Sequence, residues 1–117
     1  IYFDENNKVS KIIKNDLIRK SKGMIKYDLK FETEKLKEIV SSNEKGDPTV
    51  YKIKIDTSYI LIKNNKNILK NKISKQTVYN NIDDKFELSQ YEDNIISNLA
   101  YSISSEILMS VTSSNKW

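Results

Sequence analysis

The chain has 117 residues, 31% of them charged and 38% hydrophobic, which fits one folded domain spanning residues 1–117. It contains no Cys and no His, which excludes thiol chemistry, disulfides, the usual zinc sites and histidine acid–base catalysis. The net charge of +4 is uneven, because residues 1–81 hold 18 basic and 10 acidic side chains and residues 82–117 hold 2 and 6. No apolar stretch approaches the ~20 residues that span a bilayer. A start at Ile1 rather than Met is compatible with a targeting segment that has been removed.

The first elements predicted are a short strand and a helix. Ile1-Tyr2-Phe3 is apolar and β-favouring, and it is interpreted as the stub of a first strand. Apolar residues then recur at helical spacing from Asn7 to Lys20. The predicted cap of this helix is Asp4 or Asn6, and Gly23 fits its C-terminal end.

Three further strands are predicted from alternating apolar and polar residues. Tyr27–Glu32 alternates, and the parity then shifts towards Ile39-Val40, which indicates a bulged strand in preference to a short helical turn. Tyr51–Leu61 is the longest clean alternation in the chain. The run 64–67 is rich in Asn and predicts a tight turn into a last strand, Leu69–Tyr79.

The last segment predicts a long helix from Phe86 to about Thr112, with Asp83 or Asp84 as its cap. The order β-α-β-β-β-α lets two amphipathic helices cover one face of a sheet. The predicted fold is therefore α+β: a two-layer sandwich with both helices on one face of a four-stranded, mostly antiparallel sheet.

Lysines are predicted to collect on the sheet face that points away from the helices. If the odd-numbered residues of the third strand face the helices, parity places six lysines on the other face, diluted by three carboxylates. These lysines are Lys26, Lys30, Lys52, Lys54, Lys70 and Lys72, and the carboxylates are Asp28, Glu32 and Asp56. Two interpretations stay open: a binding surface for a phosphate-bearing ligand, or a polar face that keeps the protein soluble.

Little else in the sequence indicates chemistry. Tyr27, Tyr51, Tyr59 and Tyr79 fall on the predicted core side, so they do not interleave with the lysines as a single-strand nucleic-acid surface requires. The acid pairs Asp83-Asp84 and Glu92-Asp93 are interpreted as cap and dipole residues of the last helix, rather than as catalytic or metal-binding groups. We predict no enzyme, no metal site and no cofactor. Met109 and Val111, at the end of the long helix, are a candidate partner contact, although core packing explains most of its apolar stripe.

Three stretches together resemble a known family. They are Tyr51–Leu61, then Thr77-Val78-Tyr79-Asn80, then Phe86–Glu92 running into Ile95–Leu108. With the order of elements, they are similar to the lipopolysaccharide-assembly lipoprotein LptE, particularly to alphaproteobacterial members. The similarity covers nearly the whole chain.

The resemblance implies a lipoprotein on the periplasmic side of the outer membrane that plugs the LptD β-barrel, assists its assembly and binds lipopolysaccharide. It implies phosphate contacts at Lys52, Lys54, Lys70 and Lys72 on the sheet and at Lys85 before the last helix. The family's lipid anchor is attached to a Cys, which this chain lacks, and the family often has Arg where this chain has Lys. The alternative is a stand-alone module that binds anionic polymers, such as nucleic acid or acidic glycan, through the basic face. With LptD and lipopolysaccharide as the expected partners, nucleic acid is not expected.

Overall fold

The computed structural model describes residues 7–21, 28–63 and 65–114, which form two helices and a three-stranded sheet. The elements are, in order, α1 (Lys8–Ser21), β1 (Asp28–Ser42), β2 (Pro48–Lys63), β3 (Lys66–Asn80) and α2 (Lys85–Ser114). The predicted α+β class is confirmed. The count of four strands is not, because the described residues form three, and the predicted first strand, Ile1-Tyr2-Phe3, lies outside them.

The sheet is an antiparallel meander in which β2 pairs with β1 on one side and with β3 on the other. The alternation in β2 sets its two faces as predicted. Its core side carries Ile53, Ile55, Thr57, Tyr59 and Leu61, all no more than 2% exposed. The even-numbered residues of β2 and their register partners form the face turned away from the core, called the outer face below. The predicted continuation of β1 as one long strand is confirmed. Its pairing stays regular from Asp28 to Ile39, so no bulge accompanies the parity shift after Glu32, and the register shifts only beyond Ile39.

The two turns use residues suited to unusual backbone angles. In the β1–β2 turn Gly46 has φ 85°, and the Asn43 side-chain carbonyl accepts from the backbone N–H groups of Lys45 and Asp47. In the β2–β3 turn Asn65 has φ 63°, a region that Asn tolerates better than most residues. Both turns are short, so the register of the sheet is fixed at both ends.

The start of α1 is set by Asn7; the predicted caps Asp4 and Asn6, and Gly23 at the predicted end, lie outside the described residues. Asn7 Oδ1 accepts from the backbone N–H of Val9 at 3.0 Å and of Ser10 at 3.2 Å, which satisfies two free donors of the first turn. Its side-chain amide also donates to the carbonyl of Thr33 in β1 at 2.7 Å. One residue therefore both caps the helix and fixes its start against the sheet edge.

The two helices lie side by side on one face of the sheet and run in the same direction. Near its start α1 meets α2 through Lys8 and Asp93, and near its end through Lys20 and Ser105, so both helices advance by 12 residues between the two contacts. The cap of α2 is Asp84, one of the two residues predicted. The core holds these buried helix residues: Val9, Ile13 and Leu17 from α1, and Ile95, Ile96, Leu99, Ala100, Ile103, Ile107 and Val111 from α2.

The molecule is long and narrow, with extents of 57 × 24 × 22 Å. The end that holds the β1–β2 turn and the start of α2 is called the hairpin end below. There, β1 is exposed on both faces from Glu34 to Ser42, because α1 begins only at the level of Thr33. Leu36, Ile39 and Val40 are about half exposed in this stretch, at 47%, 59% and 50%.

Candidate ligand-binding surface

The predicted lysines of the sheet do share the outer face, as far as the structure describes them. Residues paired across an antiparallel sheet point to the same side. Lys70 pairs with Ile60 and Lys72 pairs with Ser58, so both lie on the same face as Lys52 and Lys54. Lys30, which also pairs with Ile60, completes the set, and Lys26 lies outside the described residues.

The five lysines predicted to contact phosphate do not form one cluster. Lys52 and Lys54 lie towards the hairpin end of the outer face, whereas Lys70 and Lys72 lie towards the β2–β3 turn. Lys54 is four residues along β2 from Ser58, the partner of Lys72, which corresponds to ~13 Å of strand. Lys85 is the first residue of α2, in the helix layer. One small anion cannot bridge all three places.

The outer face is balanced in charge rather than basic. Its described lysines number five, and its carboxylates also number five: Asp28, Glu32, Glu34, Glu38 and Asp56. Lys52 Nζ lies 3.2 Å from Glu38, and Lys54 Nζ lies 3.9 Å from Asp56. The prediction that only three carboxylates dilute the face is therefore wrong, because the register of β1 adds Glu34 and Glu38.

On the outer face, the negative and the positive side chains come mainly from different strands. Four of the five carboxylates come from β1, whereas β3 contains lysines and no carboxylate. Among the described residues Lys70 and Lys72 make no ion pair, and Lys75, on the same strand, pairs with Glu106 of α2. The unpaired lysines of the described outer face are therefore Lys70 and Lys72 on β3 and Lys30 on β1, and only on β3 are there no carboxylates in the same strand.

A cavity lies at the hairpin end and includes Lys85. It has a volume of about 520 Å³, and Asn43, Asp47, Asn81 and Asp83 also line it. The Asn81 amide donates to the carbonyl of Pro48 at 2.9 Å, which ties the end of β3 to the start of β2 beneath the cavity. Two carboxylates beside one lysine make it a poor site for an isolated anion, although it has hydrogen-bonding groups for a polar ligand. Only Lys85 and the acid pair were singled out from sequence, because the cavity forms where two separate turns meet.

A polar cluster beside this cavity joins α2 to the sheet. Glu92 of α2 accepts a hydrogen bond from Tyr79 of β3, and it pairs with Lys37 of β1 at 2.7 Å. The Lys37 ammonium lies 4.4 Å from the ring centre of Tyr51, and the Tyr51 and Tyr79 rings are 5.7 Å apart. Glu92 was predicted to serve the helix dipole; instead it bonds to both outer strands of the sheet, while its neighbour Asp93 meets Lys8.

The pKa shifts of Glu92 and Tyr79 are those of a contact that stabilises the fold. Burial alone raises the pKa of Glu92, but hydrogen bonds from Lys37 and Tyr79, with the charges of Lys37 and Lys35, outweigh it and the net pKa is lowered. Burial, together with the Glu92 charge and its hydrogen bond, raises the pKa of Tyr79. Both groups keep their ordinary charge near neutral pH, so neither is tuned for proton transfer.

A second buried carboxylate lies between the helices. Asp16 is 2% exposed, and its two oxygens lie 2.5 Å from Arg19 and 3.0 Å from Lys20. Burial raises the pKa of Asp16, but Lys20, the Ser104 hydroxyl and Arg19 together lower it below its usual value. Arg19, for which the sequence suggested no site, thus pairs with a carboxylate one helical turn away.

The described residues contain no group of three acidic side chains placed to hold a metal ion. No helix in the described ranges is both long enough and apolar enough to cross a bilayer.

The fold is similar to those of three solved lipoproteins. The crystal structure of rare lipoprotein B from Shewanella oneidensis superimposes with a TM-score of 0.74 at 13% identity, covering 96% of this chain and 92% of that one. A protein of Caulobacter crescentus described as a lipoprotein gives 0.66 at 10% identity, covering 95% and 85%. The solution structure of an uncharacterised lipoprotein B from Nitrosomonas europaea gives 0.66 at 14% identity, covering 92% and 77%.

The chain therefore has the fold of these lipoproteins over nearly its whole length. The sequence matches no protein-family model and none of the curated proteins.

Proposed function

We propose that this protein is a non-enzymatic subunit of the outer-membrane lipopolysaccharide translocon. In this role it lies in the lumen of an LptD-type β-barrel, assists assembly of that barrel and binds lipopolysaccharide. It would act on the periplasmic side of the outer membrane, held there by a lipid anchor. The proposal rests above all on the likeness to rare lipoprotein B, at a TM-score of 0.74 across 96% of the chain, together with the resemblance of its strands and last helix to LptE.

The shape and surface suit a plug. A body 24 × 22 Å in cross-section is wider than the interior of an eight-stranded barrel, which side chains fill, and fits only barrels of the large plugged class. The lumen of such barrels is polar. The balanced charges of the outer face suit a polar lumen better than a strongly basic surface would.

Crosslinking tests the plug directly, because a subunit surrounded by a barrel meets it on every side. A photo-crosslinking residue is placed at Val78 on the outer face, 55% exposed, and in a second variant at Tyr101 on the helices, 45% exposed. Both variants are expected to crosslink to the co-expressed barrel, whereas the same residue at buried Ile103 should not. Crosslinks from one surface alone would contradict the plug and indicate a peripheral subunit.

The proposed phosphate contacts are Lys52, Lys54, Lys70, Lys72 and Lys85. The ion pairs that these lysines make within the protein predict which of them contribute most to binding. Lys70, Lys72 and Lys85 are exposed and make no ion pair with a described residue. Lys52 and Lys54 must first leave Glu38 and Asp56. Neutralising the first group should therefore weaken lipopolysaccharide binding more than neutralising the second. Equal losses would contradict this ranking.

The alternative, a stand-alone module that binds anionic polymers, is tested by the same purified protein. Salt-sensitive binding to nucleic acid, with no barrel recovered from solubilised outer membranes, would favour it over the translocon. The described outer face carries no aromatic side chain on which bases could stack.

A further inference from the structure

Near the β2–β3 turn, the edge strand β3, which forms the border of the sheet, combines exposed lysines, the absence of carboxylates from the strand, and neighbouring isoleucines. Lys70 and Lys72 on the outer face, and Lys66, whose register partner Lys63 lies on the opposite face, are exposed on this strand and make no ion pair with a residue in the described ranges. No carboxylate occurs between Lys66 and Asn80. Isoleucines lie among these lysines, together with the polar residues Asn67 and Asn71.

The apolar neighbours are isoleucines. Ile60 lies between Lys30 and Lys70 in one row across the sheet. Ile68, next to the bulge in β3, is 38% exposed. A shallow depression of about 250 Å³ lies over this row, lined by Lys30, Ile60 and Lys70 together with Ser58 and one carboxylate, Glu32. Aliphatic side chains next to unpaired ammonium groups suit a boundary where charge and hydrocarbon meet.

We infer that this border, defined by Lys66, Ile68, Lys70 and Lys72 with Ile60 beside them, docks on the surface of a bilayer that contains anionic phospholipid. The lysines would lie at the level of the lipid phosphates, and the isoleucines would enter the headgroup region. Lysines near an anionic bilayer contribute about 1 kcal/mol each. These contacts alone give weak membrane binding. They add to the membrane affinity of a protein that a second attachment already holds at the bilayer. This inference does not rest on the translocon, since any bilayer rich in anionic phospholipid is sufficient. A barrel that surrounds the protein would cover this border, so the docked state is one of protein outside the barrel.

Co-sedimentation with lipid vesicles tests the inference without lipopolysaccharide or barrel. The protein should bind vesicles of phosphatidylcholine that contain phosphatidylglycerol, and it should bind phosphatidylcholine vesicles far more weakly. The double variant Lys70→Gln/Lys72→Gln is expected to lower the binding constant about thirtyfold, from the contribution of two lysines. Ile68→Ser should lower binding while leaving its dependence on salt unchanged, since it removes no charge.

The matched control is Lys11→Gln/Lys45→Gln. It removes the same charge from two exposed lysines, one on α1 and one in the β1–β2 turn at the far end of the molecule. The control should keep most of the binding, and circular dichroism should show that both double variants remain folded.

Three results would overturn the inference. The first is absence of binding to anionic vesicles by the unaltered protein. The second is equal loss in both double variants, which would mean that net charge, not this border, attracts the protein. The third is tighter, Lys70- and Lys72-dependent binding to inorganic phosphate or to a soluble polyanion than to vesicles at the same salt. Loss of barrel or lipopolysaccharide binding in other assays would leave the vesicle result standing, so the two proposals fail separately.

Discussion

The contact of Glu92 with Tyr79 should stabilise the fold measurably, because it joins α2 to the sheet at a site with little solvent. The Tyr79 residue is 4% exposed, and the Glu92 side chain is 16% exposed. Removing the hydroxyl with Tyr79→Phe deletes a hydrogen bond to a charged acceptor and leaves a half-satisfied carboxylate. We expect a loss of about 1.5–3 kcal/mol in the free energy of unfolding.

A double-mutant cycle separates this contact from other effects of each change. Glu92→Gln should cost a similar amount, since the Lys37 side chain that it releases is 44% exposed and can be solvated again. Combining the two variants should cost at least about 0.5 kcal/mol less than the sum of the singles. Tyr101→Phe is the matched control, because its ring is 45% exposed and its hydroxyl loss should cost within about 0.5 kcal/mol.

Urea unfolding followed by circular dichroism measures all four proteins, with equal m-values required for comparison. Folding lowers the pKa of Glu92, so its ionised form stabilises the protein above the unfolded pKa near ~4.3. That contribution disappears as the pH falls through the lowered folded pKa. Additive effects at neutral pH, or a coupling that persists when the carboxyl is protonated, would refute the reasoning.

Other positions give simpler expectations. Ile103→Ala, at a fully buried site in α2, should cost about 2–5 kcal/mol in urea unfolding, whereas Met109→Ala on the same helix, 68% exposed, should cost within about 0.5 kcal/mol. Folding lowers the pKa of Asp16, so stability should fall more steeply in acid for the unaltered protein than for Asp16→Asn, and parallel pH profiles of unfolding would contradict this. Lys52→Gln with Lys54→Gln should leave the fold intact, because both lie on the outer face and only partly exposed ion pairs are lost; a large fall in Tm would contradict this.

Alternation predicted the faces of the sheet because side-chain direction repeats every two residues in any strand. Tyr59 and Tyr79 were placed on the core side in this way, and both are buried. Strand length was underestimated, since β2 continues to Lys63 and β3 begins at Lys66, where backbone pairing persists without an apolar pattern. Hydrogen bonds of the ladder do not depend on which side chains are present.

Features that depend on distant partners were missed. The local sequence does not single out Asn7 as the cap, and its bond to Thr33, 26 residues away, belongs to the tertiary structure. The charge balance of the outer face required the β1–β2 register, which the parity shift near Ile39 hides in the sequence. Glu92 could be recognised as a helix-dipole acid from its position, but its bonds to two strands belong to the tertiary structure.

The position of α1 has a consequence for how the chain folds. The three strands form two successive hairpins and α2 follows directly, so their contacts close short loops. By contrast, Lys8 meets Asp93 and Lys20 meets Ser105, each across 85 residues of chain. α1 can contact β1 near Thr33 early, but its contacts with α2 form only after the last helix has been made. We expect α1 to dock last during folding, and its backbone amides to exchange with solvent before those of β2.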